Sequence, residues 1–216
     1  MRTTIIIAVM AIFFFSCKKD EPTELIPTTD PTSTSNSYLP LKIGNYWVYK
    51  NYNRDSLGVE TELSQIDSIY ISKDTIINGN TFYIIEGENY PFNNSSRSIL
   101  RDSGDYIVNN DGTILFSSSN FTSILNYFVF TNANDTIYTS TAKMYNSPQI
   151  STPAGLFSAL NYKCEIVTTH PNNYIHNPRY TEDAYAQGVG KVYKVIFFIN
   201  SPNFIVKRLL RYHVQN

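Results

Sequence analysis

From Tyr38 onward, apolar and polar residues alternate along most of this chain with the period of two that places every second side chain on one face of a β-strand. The pattern runs through NYWVYKNY (45–52), DSIYIS (67–72), TFYIIEGE (81–88), DYIVNN (105–110) and TILFSS (113–118). It returns in KCEIVTT (163–169), KVYKVIFFIN (191–200) and FIVKRLLRYHV (204–214). Asn78-Gly79, Ser103-Gly104 and Asp111-Gly112 separate several of these stretches, and glycine supplies the positive φ that tight hairpin turns require. A further hairpin is expected at NSPN, residues 200–203. Many short strands divided by turn signals predict an antiparallel all-β domain. One stretch, NFTSILNYFVFTN (120–132), is compatible with one or two helical turns around Ile124 and equally with a strand, given its β-branched and aromatic content.

Composition sharpens this expectation. Seventeen Tyr and thirteen Phe are too many for one narrow sandwich face. A single, strongly curved antiparallel sheet, half-barrel or barrel-like, uses them better, with a β-sandwich as the alternative. Trp47, the only Trp, is expected in the core beside Tyr49.

The N-terminus has a different character. Arg2 is followed by TTIIIAVMAIFFFS, an apolar run too short for a membrane-spanning helix, then by Cys17. A charged start, a short apolar core and a small residue, Ser16, before a cleavage point describe a secretory signal. With Cys17 next, the segment resembles a bacterial lipoprotein signal, although Phe14, Phe15 and Ser16 match only the last position of the usual box. Lys18, Lys19, Asp20 and Glu21 resemble the export tag of Bacteroidota-type surface lipoproteins. The resemblance implies lipid on Cys17, attachment to the outer membrane and display at the cell surface, with the periplasmic face as the alternative. Residues 1–16 then form the signal, 17–37 the lipidated Cys and a Pro/Ser/Thr-rich tether, and 38–216 one all-β domain. Removing residues 1–16 from 216 leaves 200 residues, and loss of Arg2 takes the formal charge from −1 to −2. Basic residues are not clustered, so nucleic acid is not an expected partner.

Candidate chemistry is sparse. Cys164 lies in an alternating stretch and is expected to be a small buried apolar residue. His170 and His176, with Arg179, Glu182 and Asp183 following, read as an exposed connection rather than a metal site. Glu86 and Glu88 share a strand face but read as a solvated strand end rather than a glycosidase pair. GVGKV lacks the phosphate-loop frame, and no Ser stands in a nucleophile elbow. No catalytic residue, metal or cofactor is therefore expected. Asp followed by Ser or Thr and an apolar residue occurs at Ser56, Ser68, Thr75 and Thr136, and resembles the O-glycosylation site of exported Bacteroidota proteins.

Three stretches, YLPLKIGNYWVYKNY, STPAGLFSALNYKCEI and YAQGVGKVYKV, occur in the order found in a set of bacterial lipoproteins. They resemble the domain-of-unknown-function 3108 and TapB-like group, with an architecture near the LolA and LolB carriers. The resemblance implies no catalytic residues. Physically, Gly155 is expected to permit a turn into the long strand after Pro153, and Gly188 and Gly190 a bend entering the next. The expected function is a non-catalytic binding or scaffolding module for a glycan, a lipid or an envelope protein. A LolA/LolB-like carrier is the alternative, and a hydrolase the less favoured one. Cys17→Ala is expected to abolish incorporation of labelled fatty acid and to release the protein from the membrane fraction; unchanged labelling and sedimentation would contradict lipid attachment.

Overall fold

The computed structural model describes residues 37–92, 94–133, 135–169, 178–199 and 201–215. Cys17, Lys18, Lys19, Asp20, Glu21, His170 and His176 lie outside the described residues. The strands are β1 (Tyr46–Arg54), β2 (Glu60–Ile77), β3 (Asn80–Asn89), β4 (Asn94–Ser103), β5 (Tyr106–Asn109), β6 (Ile114–Ser117) and β7 (Asn126–Asn132). They continue as β8 (Asp135–Asn146), β9 (Ile150–Thr152), β10 (Gly155–Phe157), β11 (Ala159–Thr168), β12 (Arg179–Ala186), β13 (Gly190–Phe198) and β14 (Ser201–His213). Twelve of them form one antiparallel sheet, ordered β6-β5-β4-β3-β2-β1-β14-β13-β12-β11-β8-β7 and nearly closed into a barrel. The curved-sheet expectation holds, and the 120–132 ambiguity resolves to β7.

This order is an up-and-down meander. Neighbours in the sheet are neighbours in sequence, except where the β9–β10 hairpin is inserted between β8 and β11 and where β14 returns to pair with β1. The two free edges, β6 and β7, are themselves consecutive strands. Across the seam the Tyr162 hydroxyl of β11 donates to the Ile114 carbonyl of β6 at 3.3 Å. Phe116 of β6 packs on Tyr185 of β12, with ring centroids 4.9 Å apart. On β7, Tyr127, Phe128, Val129 and Phe130 are all exposed.

Residues 37–45 run against one end of the interior. Leu39 is buried in the core, and Asn45 is fully buried, its amide donating to the Pro40 carbonyl at 2.9 Å and its Oδ1 accepting from the Gln215 backbone at 2.9 Å. Trp47 is buried as expected, with Tyr49 in the same cluster. The indole N–H of Trp47 donates to the Val189 carbonyl at 2.6 Å.

Some turns differ from the sequence reading. The β13–β14 turn precedes Ser201, so Ser201, Pro202 and Asn203 belong to β14. Arg179 accounts for this: it is buried, and its guanidinium donates to the carbonyls of Phe198 at 3.1 Å, of Ser201, and of Pro202 and Asn203 at 3.2 Å each. Gly155 opens the short strand β10 rather than the long strand β11. Its hairpin packs on β13 and β14, with Arg208 donating to the Ser151 carbonyl at 2.7 Å.

Gly190 has φ +106°, and a Cβ there would lie 2.8 Å from Trp47 Nε1. Gly190→Ala is expected to cost about 3 kcal/mol from backbone strain and overpacking together. The measurement is the urea-unfolding midpoint at unchanged m-value.

Candidate functional site

The register of the wall decides what faces the interior. Trp47 and Tyr49 of β1 stand opposite Ile69 and Asp67 of β2, Ile69 opposite Gly87 of β3, and Gly87 opposite Ser96 of β4. On β14, Leu209 and Lys207 stand opposite Tyr49 and Asn51. Lys191 and Lys194 of β13 are three positions apart, so a regular strand would point them to opposite faces. The β12–β13 ladder shifts between Ala184 and Tyr185: Ala184 faces Tyr193, but Tyr185 faces Lys191, and Val192 is left over. That extra residue turns both lysines to the same space.

The space is an internal chamber of about 200 Å³. Leu39, Trp47, Ile69, Ile85 and Leu100 form its apolar wall; Asp67, Lys191, Lys194 and Lys207 form its charged wall. Lys207 Nζ lies 2.5 Å from Asp67 Oδ2, and both side chains are almost fully buried, at 7% and 3% exposure. Asp67 Oδ1 also accepts from the Tyr90 backbone at 3.2 Å. Lys191 Nζ lies 3.0 Å from Asp183 Oδ2, whereas the buried Asp183 Oδ1 has no hydrogen-bond partner among the described residues. Lys194 stands opposite Asp183 in the ladder, yet makes no hydrogen bond or ion pair among the described residues. Burial pushes the Lys207 ammonium below the ordinary lysine value despite the Asp67 contact, and the charges of Lys194 and Lys191 push the same way. For Lys194, Asp183 raises the value, but Lys191 and burial together outweigh it.

A lateral cleft of about 940 Å³ adjoins this chamber. It opens where β3 leaves β2: the β2–β3 ladder ends at Ile69 opposite Gly87, while β2 continues back to Glu60 paired only with β1. Gly87 is needed at that crossing, because a Cβ there would lie 2.0 Å from the Ser68 carbonyl oxygen. Ile66, Tyr70 and Tyr90 line the cleft, and Asp67, Glu88 and Ser96 line both cleft and chamber. A second groove of about 300 Å³ reaches Lys194 and Asp183 past Tyr162, Phe92 and Phe197.

The residues singled out from sequence fall in different places. Glu86 and Glu88 both line the cleft, with Glu86 3.9 Å from Arg97. Glu182 accepts from the Asn161 amide at 2.9 Å and lies 3.8 Å from Lys163. Asp183 alone of the 179–183 group faces the chamber lysines. Cys164 is half-buried rather than fully buried, and burial pushes its thiol above the ordinary value. Ser56 and Ser68 are exposed, whereas Thr75 and Thr136 are half-buried; Asp55 Oδ1 accepts from the Leu57 and Val59 backbones at 2.9 Å. Among the described residues no group of three His, Cys, Asp or Glu could hold a metal ion. Sequence reasoning missed Lys191, Lys194 and Lys207. The signal was present for Lys207, which shares strand parity with the apolar Ile205 and Leu209.

Together these features define a nearly closed, up-and-down β-barrel with a small, charged interior chamber beside a lateral cleft. No protein-family model matches the chain, and a search of curated proteins finds no match. The fold is similar to that of a protein from Bacteroides fragilis described as exported and as having a YmcC-like fold, at 13% identity and a TM-score of 0.50 over 81% of this chain and 98% of that one. It is also similar to that of a protein from Parabacteroides distasonis described as a lipoprotein, at 14% identity and a TM-score of 0.54 over 83% of this chain and 99% of that one.

Asp67→Asn is expected to destabilise the fold by about 4 kcal/mol, because Lys207 is left buried without its counter-charge. The double change Asp67→Leu with Lys207→Met should recover most of the loss. Lys194→Met should act in the opposite direction. The native state holds this ammonium below its unfolded value of about 10.4, so its penalty is full below the native pKa and is relieved as pH rises from there toward 10.4. Thermal unfolding from pH 7 upward should show a gain from Lys194→Met that shrinks as pH rises.

Proposed function

We propose that this protein is a cell-envelope lipoprotein, held to the outer membrane by lipid on Cys17, displayed at the cell surface, and acting as a non-catalytic binding module. The Cys17 signal and the charged residues after it support the location, and the similar folds from B. fragilis and P. distasonis, described as exported and as a lipoprotein, are consistent with it. The observation that carries the binding role is the chamber itself, an apolar wall facing a wall of lysines and adjoined by a cleft. Pockets that bind small molecules combine apolar lining with a few convergent polar groups in this way. The resemblance to the domain-of-unknown-function 3108 and TapB-like group adds support through its three motifs alone.

A LolA/LolB-like carrier is the second reading, favoured by the wide cleft beside the chamber. Against it stands the size of the chamber: about 200 Å³ leaves most of the interior filled by side chains such as Trp47 and Tyr185.

External protease is expected to shave the domain from intact cells, and replacing Lys18, Lys19, Asp20 and Glu21 together by Ala should protect it. The purified protein should turn over nothing in esterase, glycosidase and peptidase panels. Turnover lost on changing Glu86 or Glu88 would replace the binding assignment with an enzymatic one.

A further inference from the structure

We propose that the chamber is a site for an organic anion carrying an apolar segment, its carboxylate or phosphate seated on Lys194 between Lys191 and Lys207 and its apolar part against Trp47, Ile69, Ile85 and Leu100. The inference rests on the binding-module reading and gives it a ligand class.

The close ion pairs inside leave one lysine over. Three ammonium groups, Lys191, Lys194 and Lys207, line the chamber with the carboxylates of Asp67 and Glu88, and Asp183 pairs with Lys191 beside it. Glu88 is exposed and makes no ion pair with these lysines among the described residues, and Glu182 is engaged by Asn161 and Lys163. Asp67 is committed to Lys207, and Asp183 to Lys191. Among the described residues Lys194 is the chamber lysine left without a close acid. It is half-buried and lines both the chamber and the second groove.

A protein that needed only structural ion pairs would have no use for a third, half-buried lysine without a close acid, since withdrawing a charge from water is costly. The bulge at Val192 that turns Lys191 and Lys194 the same way is the device that creates the excess. An anion entering the chamber would supply the missing charge, accept from Lys194 and desolvate apolar surface at the same time.

The wall opposite the lysines selects the rest of the ligand. Leu39, Trp47, Ile69, Ile85 and Leu100 offer no charged group, so a bare inorganic anion would leave that half of the chamber unused. The volume suits a short chain, with the cleft past Ile66, Tyr70 and Tyr90 to take any longer part.

The test is a calorimetric and Trp47-fluorescence titration of the purified full chain with octanoate, octyl phosphate, 1-octanol and inorganic phosphate. Octanoate and octyl phosphate should bind, with 1-octanol and inorganic phosphate each at least about tenfold weaker, and Lys194→Met should weaken both amphiphilic anions about tenfold or more. The predicted gain in thermal stability of Lys194→Met shows that the variant is folded. Equal binding of octanol and octanoate, or unchanged octanoate affinity in Lys194→Met, would overturn the anion site. Phosphate binding as tightly as octyl phosphate would overturn the apolar half of the proposal. No octanoate binding at all would overturn the site while leaving the binding-module reading to stand or fall on glycan titration and on the turnover panels.

Discussion

A buried cation requires a buried anion nearby, and the interior of this barrel is organised by that requirement. Asp67 and Lys207 come from β2 and β14, on either side of β1, and meet at 2.5 Å beneath it. Removing either partner leaves the other without water or counter-charge, which is among the more costly changes a fold can suffer. The pair also restricts register. Because strand side chains alternate, a one-residue slip of β2 or β14 would turn its charge outward and strand the partner. A long, all-antiparallel meander has many near-equivalent registers, and a mutually dependent pair of buried charges penalises the wrong ones.

The charges on the opposite face of the wall behave differently. Glu60 accepts from Arg54 at 2.7 Å and from Arg208 at 3.0 Å, and Arg54 also donates to the Tyr193 hydroxyl. Burial would raise the Glu60 carboxyl, but the two arginines more than offset it and hold it below the ordinary value. Here the set is satisfied internally, with two cations sharing one bidentate acid under the β9–β10 hairpin. The chamber, by contrast, holds its third cation, Lys194, without a close ion pair among the described residues. One network joins strands; the other leaves a vacancy in charge.

Much of this was legible in the sequence, and the illegible part has a definite cause. Alternation and Gly-containing turns identify β1, β3, β5, β6, β11, β13 and β14, because each keeps enough of the period of two to be read as a strand, although β1, β13 and β14 also bury consecutive side chains. Asp67, Ile69 and Ile71 also share parity, as do Lys207 and Leu209, so two inward charges could have been read from their apolar neighbours. Lys191 and Lys194 could not. Strict alternation assigns them to opposite faces, and only the unpaired Val192 reverses one of them. The cleft was likewise hidden, since it depends on where β3 parts from β2 and not on which residues the two strands contain. The side chains that alternation does not explain are those that shape the chamber.

The return of β14 to β1 carries a consequence for how the chain reaches its native state. Tyr46 is paired with His213, so the first strand of the barrel waits for the last. Contacts of this sequence separation are slow to form, because a long loop must close before any hydrogen bond rewards it. A chain delivered from its N-terminus can assemble β1 to β6 as a local meander, but β1 keeps one edge open and Asp67 keeps no counter-charge until the final thirteen-residue strand arrives. The step that closes the wall at β1 is therefore delayed until β14 is present.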